Sequence, residues 1–251
     1  MKSITFVDHK NLFMDLFDKN TRMTDLVHRN YLLLPVLNRF GIRLGFQDKT
    51  ISDICMEKGI DMNFFLAIIN AFHDHEYFPE HELQSFSSNL IVDYLRKSHL
   101  DFKKTNLPKI EALLNRLVEN SKSHDLKVIQ SFYNKYKKEL LEHILDEEEN
   151  AFPYVLELQE AYDLKINPLS KNIVEYSIQS FEKEHTNVDE KLFDLKNIVI
   201  KYLEPNYNDK DCNEFLFELF QFDRDLKDHA RIEDKILVPK VMEIEKELKN
   251  E

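Results

Sequence analysis

Ten histidines are spread along the 251 residues, and two of them, His143 and His229, are followed four positions on by a glutamate, Glu147 and Glu233. Each pair is followed at the same distance by a proline, Pro153 and Pro239, and the two pairs stand 86 positions apart. Two further histidines, His99 and His185, are separated by the same 86, and each precedes its His-x-x-x-Glu pair by 44 residues. Spacing of i, i+4 places an imidazole and a carboxylate on one helix face, a turn apart, where both reach one metal cluster. A lone pair of this kind is commonly a solvated surface pair, but a set recurring at a single offset calls for a shared role. The inventory is four imidazoles, two carboxylates and no thiolate, a nitrogen and oxygen set that suits iron or manganese better than structural zinc. Six side chains are too many for one tetrahedral ion. With both carboxylates bridging, they fill about eight of the roughly twelve positions around two six-coordinate ions, leaving room for an oxo or hydroxo bridge and a small exogenous ligand.

Such a set needs helices to carry it. All three glycines, Gly41, Gly45 and Gly59, fall in one short stretch, so residues 60–251 contain none. Hairpin turns favour glycine, and a glycine-free chain rich in Leu, Glu, Lys and Ile is expected to be helical. The apolar spacing agrees, recurring at three and four residues. It runs through Leu90, Ile91, Tyr94 and Leu95, then Ile129, Phe132, Tyr133, Tyr136, Leu140, Leu141 and Ile144. Leu192, Leu195, Ile198, Val199 and Tyr202 continue it, followed by Phe215, Leu219, Phe222 and Leu226. Loop and cap residues at 121–125, 166–170 and 204–208 divide 85–249 into four long helices. Short connections between long helices favour antiparallel neighbours, so the expected fold is all-α, an up-down-up-down four-helix bundle made of two copies of one helix pair. Pro108 is expected to kink or break the first helix.

Residues 23–80 have a different texture, with short helical pieces near 24–27, 34–40, 51–57 and 63–72 and Gly41 and Gly59 as expected C-caps. They read as a small helical N-terminal domain, preceded by an apolar extension at 1–22 and joined to the bundle by a charged connector. His9, His28, His73, His75, His81 and His124 lack a repeat partner and are expected at the surface or in caps. Net charge is −12, and an acidic chain without a basic cluster disfavours nucleic-acid or membrane-surface binding. No apolar run approaches the roughly 20 residues of a membrane span, and no signal-peptide core opens the chain, which reads as cytoplasmic. Cys55 and Cys212 form no CxxC motif, so neither a disulfide framework nor a thiolate zinc site is expected. Cys55, on an apolar helix face, is expected to pack.

The ligand pattern resembles the hemerythrin-like cation-binding domains, and within them the di-iron proteins that repair iron-sulfur clusters under nitrosative and oxidative stress. His99, His143, Glu147, His185, His229 and Glu233 match that family's four-His, two-Glu cluster in order and spacing. Oxygen-carrying hemerythrins, with five His, one Glu and one Asp, resemble it less. The stretch from Thr24-Asp-Leu-Val to Asp61, including Pro35-Val-Leu-Asn-Arg-Phe-Gly41 and Thr50-Ile-Ser-Asp-Ile-Cys55, looks like the family's small N-terminal domain. The resemblance implies two iron ions in an oxo- or hydroxo-bridged, carboxylate-bridged centre, nitric oxide or dioxygen as ligand, and iron-sulfur proteins as clients. The repeated ligand set is read with His99 and His143 mainly on one iron, His185 and His229 on the other and Glu147 and Glu233 bridging, while the resemblance places Glu139 and Glu184 as acids near the cluster. One departure stands out: where the family carries paired cysteines and two glycines after Gly41-Ile-Arg-Leu44, this chain reads Gly45-Phe-Gln-Asp48. A non-enzymatic sensor of dioxygen, nitric oxide or iron, acting through a protein partner, is therefore the alternative. Apolar residues of the N-terminal segment and small domain would suit a homodimer.

Overall fold

The computed structural model describes residues 15–121, 123, 125–166 and 182–250, with side chains in the last stretch over 190–248. The chain divides into two compact units, Met1–Leu83 and Gln84–Glu251. Helix and turn dominate, and a single isolated β-bridge between Arg22 and Thr50 is the only extended pairing among the described residues.

In the first unit, α1 (Met23–Arg29), a short 3-10 turn (Tyr31–Leu33), α2 (Leu34–Arg39), α3 (Ile51–Lys58) and α4 (Met62–His73) follow one another. Local chemistry sets the boundaries. Thr50 and Asp53 form a reciprocal capping box at the start of α3, and Gly59 ends it in the left-handed conformation with φ +64°. Asp61 caps α4 by accepting from the Phe64 N–H. Ahead of α1, Phe17 is buried, and the Asn70 amide pairs with its backbone in both directions, at 2.7 and 2.9 Å. His73 departs from the expected surface role. It is 4 % exposed, packs its ring 4.4 Å from Phe17 and lies 3.2 Å from the Asn30 amide. The α4 helix carries an almost wholly apolar inner face up to this residue, so its last turn is drawn into the core with it. Helix α5 (Glu80–Ser85) follows.

The second unit is a four-helix bundle. Its first long helix comprises α6 (Ser88–Asp101), a π turn (Phe102–Asn106) and α7 (Leu107–Glu119). Its second comprises α8 (Asp125–Asp146), a π turn (Glu147–Ala151) and α9 (Phe152–Leu164). The third is α10 (Glu182–Tyr202), and the fourth is α11 (Asp209–Ile232), a π turn (Glu233–Leu237) and α12 (Val238–Asn250). Helix α7 packs on α8 and α11, α10 on the same two, and α9 on α6 and α12. The shared core holds Leu114, Leu117, Ile129, Tyr133, Tyr136, Leu192, Leu195, Phe215, Leu219 and Phe222. The buried Tyr133 hydroxyl donates to the Leu107 carbonyl at 2.9 Å, as an aromatic with a polar tip must when it is removed from water.

The prolines do not end the long helices; each follows a widened turn, and the helix continues past it. Pro108, Pro153 and Pro239 each lie six residues after the start of a π turn, one position after the residue that closes it. Proline lacks an N–H, and its ring crowds the carbonyl four residues back. The preceding turn accommodates this by bonding to the fifth residue instead of the fourth. The N–H groups of Leu107, Phe152 and Val238 accordingly donate to the carbonyls of Phe102, Glu147 and Glu233.

Candidate metal centre

Two of these π turns start at the glutamates singled out by the sequence. Glu147 and Glu233 are 1 % and 0 % exposed, and their own carbonyls accept the π-type bonds, which fix their backbone one turn after His143 and His229. His99 sits three residues before the third π turn and is fully buried. Helix α6, the second long helix and the fourth long helix thus bring His99, Glu147, His229 and Glu233 together, with one ligating atom from each lying within 4.8 Å of every other.

The distances define the arrangement. His99 Nε2 lies 3.0 Å from Glu147 Oε2 and 3.1 Å from His229 Nε2. His143 Nε2 lies 3.0 Å from Glu147 Oε1, and His229 Nε2 lies 3.1 Å from Glu233 Oε1. The Glu147 carboxylate therefore presents one oxygen to each of two imidazoles on different helices. His99 Nε2 thus lies against His229 Nε2 and shares the Glu147 carboxylate with His143. The side chains of His185 and Glu184 lie outside the described residues; their backbone belongs to α10.

Packing holds the rings. Phe152 stacks on His99 with centroids 5.4 Å apart and planes 12° apart, and Phe102 meets the His229 ring edge-on at 5.3 Å. A cavity of about 20 Å³ adjoins the cluster, lined by His99, His143, His229 and the two glutamates on one side and by Phe102, Leu140, Ile144, Leu226 and Ala230 on the other. That is room for one or two atoms of water size, behind apolar walls.

Glu148, which the sequence reading passed over, makes the closest outer contact: its Oε1 lies 3.0 Å from His99 Nδ1, and its Oε2 lies 3.1 Å from Arg96 Nε. A signal for it exists, since an acid follows each of the two glutamates, Glu148 and Asp234, again 86 positions apart. Glu139 pairs with Lys191 at 2.7 Å, tying α8 to α10, and that hydrogen bond and charge hold its carboxyl below the usual range. Burial disfavours the charged form of His99, but hydrogen bonds with Glu147 and Glu148 and the charges of Glu147 and Glu233 outweigh it and carry the imidazole up to about 9. Burial raises the Glu148 carboxyl, and the His99 hydrogen bond with the charges of His99 and Arg96 brings it below its ordinary value.

These residues fit a metal. Buried carboxylates are costly unless a cation or hydrogen bonds compensate them, and here they converge with imidazole nitrogens. Metal-ligand bonds of about 2.0 to 2.2 Å place donor atoms about 2.8 to 4.4 Å apart around one ion, so a 4.8 Å spread needs little contraction around one ion and also leaves room for a carboxylate shared between two. The donor set is the hard and borderline one that iron, manganese and zinc accept, with no thiolate to select zinc.

A buried His and Glu cage inside a four-helix bundle defines a class of metal-binding bundles. Comparison with known proteins specifies it: residues 90–241 match the hemerythrin HHE cation binding domain, and the chain belongs to that family. The chain is also similar to the iron-sulfur cluster repair protein ScdA of Staphylococcus haemolyticus, 19 % identical over 193 residues that cover 76 % of this chain and 83 % of the relative.

The remaining sequence expectations divide. Both cysteines are free and buried, and burial, with the nearby charge of Asp61, pushes the Cys55 thiol up to about 11, as a packing residue requires. None of the described helices is long and apolar enough to cross a membrane. His9 and His124 lie outside the described residues.

Proposed function

We propose that this chain is a cytoplasmic di-iron protein that binds or reduces nitric oxide or dioxygen and helps restore iron-sulfur clusters damaged by nitrosative or oxidative stress. The observation that carries the reading is the Glu147 carboxylate, buried and offering one oxygen toward His99 and the other toward His143, the disposition of a group that bridges two ions. Likeness to a named iron-sulfur cluster repair protein supplies the physiological context.

His99, His143, His185 and His229 would hold the ions, with Glu147 and Glu233 shared between them. When bound, two ferrous ions supply the electrons and the open coordination positions that no side chain here offers. The chain's own contribution is selection and exclusion. Phe102, Leu140, Ile144, Leu226 and Ala230 keep the approach apolar and narrow, which admits a diatomic molecule and disfavours charged or larger species. Phe152 and Phe102 hold two of the rings in place, so the cage is formed before an ion arrives.

The test is iron per chain after anaerobic reconstitution, for the wild type and for Glu147→Ala with Glu233→Ala. About two irons in the wild type, lost in the double variant, are expected from a two-ion bundle site. Unchanged iron in the double variant overturns the ligand assignment.

The sensor reading has one observation in its favour: Gly45-Phe-Gln-Asp48 replaces the thiol pair, Phe46 is buried, and Cys55 is held protonated. Restoration of a damaged iron-sulfur hydratase separates the two readings. A sensor binds the diatomic ligand and restores nothing.

A further inference from the structure

The boundary between the two units falls inside α5, between Leu83 and Gln84, and the first residue past it is fastened to a turn that carries a ligand. The Gln84 side-chain amide donates to the Lys235 carbonyl at 3.1 Å, and the Lys240 ammonium donates to the Gln84 carbonyl at 3.0 Å. Lys235 lies inside the π turn that starts at Glu233, and Pro239, four residues on, has no N–H to give its carbonyl. The proline that follows the widened turn thus leaves an acceptor, and Gln84 takes it. Four residues farther along, Ser88 is fully buried and gives its N–H and its hydroxyl to Gln159 Oε1 on α9, at 3.3 and 2.7 Å. Ser88 opens α6, the helix that carries His99. Residues 84–88 therefore join the turn of one buried ligand to the helix of another, at the point where the chain enters the bundle.

We propose that residues 84–88 form a coupling strap: a cation in the cage fixes the Glu233 turn, Gln84 passes that constraint to α5, and the chain at the junction of the units is held more firmly when metal is bound. The coupling rests on the metal-binding reading above and supplies it with an output, the order of α5. Glu147 and Glu233 bring two buried carboxylates to one cage, and a cation between them replaces repulsion with shared attraction. A shift of Glu233 moves the backbone of its own π turn, on which Lys235 is two residues away. Linkage makes the effect reciprocal: the factor by which metal steadies the strap is the factor by which an intact strap strengthens metal binding. Two hydrogen bonds of ordinary strength set that factor at about three- to tenfold.

Hydrogen exchange read by mass spectrometry on the full chain, with and without ferrous ion under anaerobic conditions, tests the strap. Amides of residues 81–88 in the wild type should exchange about three- to tenfold more slowly once iron is bound. Gln84→Met, which keeps the length of the side chain and removes its donor, should abolish that iron-dependent slowing. It should also weaken ferrous binding, titrated against a competing chelator, by the same factor. A strap that only supports the fold would exchange faster in Gln84→Met by one factor with and without iron and leave iron affinity unchanged, and that result overturns the coupling. Equal exchange of 81–88 in iron-loaded and iron-free wild type overturns it as well. The metal-free chain gives an independent arm: Glu233→Gln removes a charge from the cage, so 81–88 should slow relative to the wild type, and adding Gln84→Met should cancel the slowing. No change in metal-free Glu233→Gln overturns the strap whether or not the wild type binds iron. Absence of iron binding by the wild type overturns the di-iron reading, and the metal-free arm then decides the strap by itself.

Discussion

Raising the pH of the metal-free protein should destabilise it over a defined window, because His99 is held protonated among carboxylates. Its pKa is about 9 in the folded chain against 6.5 as the reference value. A group whose folded pKa is raised lends stability that is fully present below the unfolded value and disappears as pH climbs through the folded value. The window therefore runs from about pH 6.5 to about 9, and the difference corresponds to about 3 kcal/mol for a group this deeply buried. Urea unfolding of chelator-treated protein at several pH values, followed by circular dichroism, measures it. The midpoint should fall across the window in the wild type, and the fall should shrink in His99→Gln. Burial raises both cysteine thiols as well, but their loss of stability starts above about pH 9, so the histidine variant isolates the imidazole. Metal should flatten the curve, since a cation takes the place of the Nε2 proton. A midpoint that stays level between pH 6.5 and 9, or falls equally in His99→Gln, refutes the assignment of a protonated His99 to the empty cage.

Other perturbations address neighbouring parts of the structure. Pro153→Ala with Pro239→Ala removes the cause of two π turns; re-forming an α turn rotates one side of the helix by about 100° against the other, so metal affinity should fall tenfold or more while helical content measured by circular dichroism is retained. Unchanged affinity would mean that packing alone keeps the turns open. Lys196 and Asp223, both buried, pair at 2.7 Å between α10 and α11; because Lys227 also reaches Asp223 at 3.0 Å, Lys196→Met should cost only about 1.5 to 3 kcal/mol in urea unfolding, and Lys196→Met with Lys227→Met, which strands the carboxylate, should cost more. Phe222→Ala, which empties a fully buried site edge-on to Phe102, should cost about 3 to 5 kcal/mol and weaken metal retention through Phe102. Cys55 should react with iodoacetamide only at the rate of local opening, and a fast reaction at neutral pH would contradict its raised pKa.

Much of this architecture is legible in the residues alone, for physical reasons that differ by element. Helix periodicity over Ile129, Tyr133, Tyr136, Leu140 and Ile144 is a geometric signal, and those residues form the core in the structure. The 86-residue repeat is chemical, and it isolates His99, Glu147, His229 and Glu233, which the fold gathers into one cage. Tyr202 fits the apolar stripe of α10 yet is 70 % exposed, because it is the last residue of the helix and the stripe runs past the end of the packed face. The π turns are not legible for a related reason: periodicity reports which face is buried, not whether a turn contains one extra residue. Glu148 carries only the faint signal of its recurrence as Asp234, since an acid beside a ligand is commonly a solvated one. Only the fold reveals that the π turn swings it toward Nδ1 of a histidine 49 positions away.

The π turns also bear on how the protein tolerates motion. An ordinary α-helix in a bundle can creep along its neighbour by a turn, because each residue presents much the same backbone as the next. A helix interrupted by a proline-locked wide turn has lost that translational equivalence, since sliding would have to carry the bulge past the ring that causes it. Among the described residues, three of the long helices bear such an interruption beside the cage, so they behave as keyed shafts. Small displacements at the cage are then absorbed by side-chain torsions, which cross barriers in nanoseconds, and the backbone that carries the cage keeps its spacing.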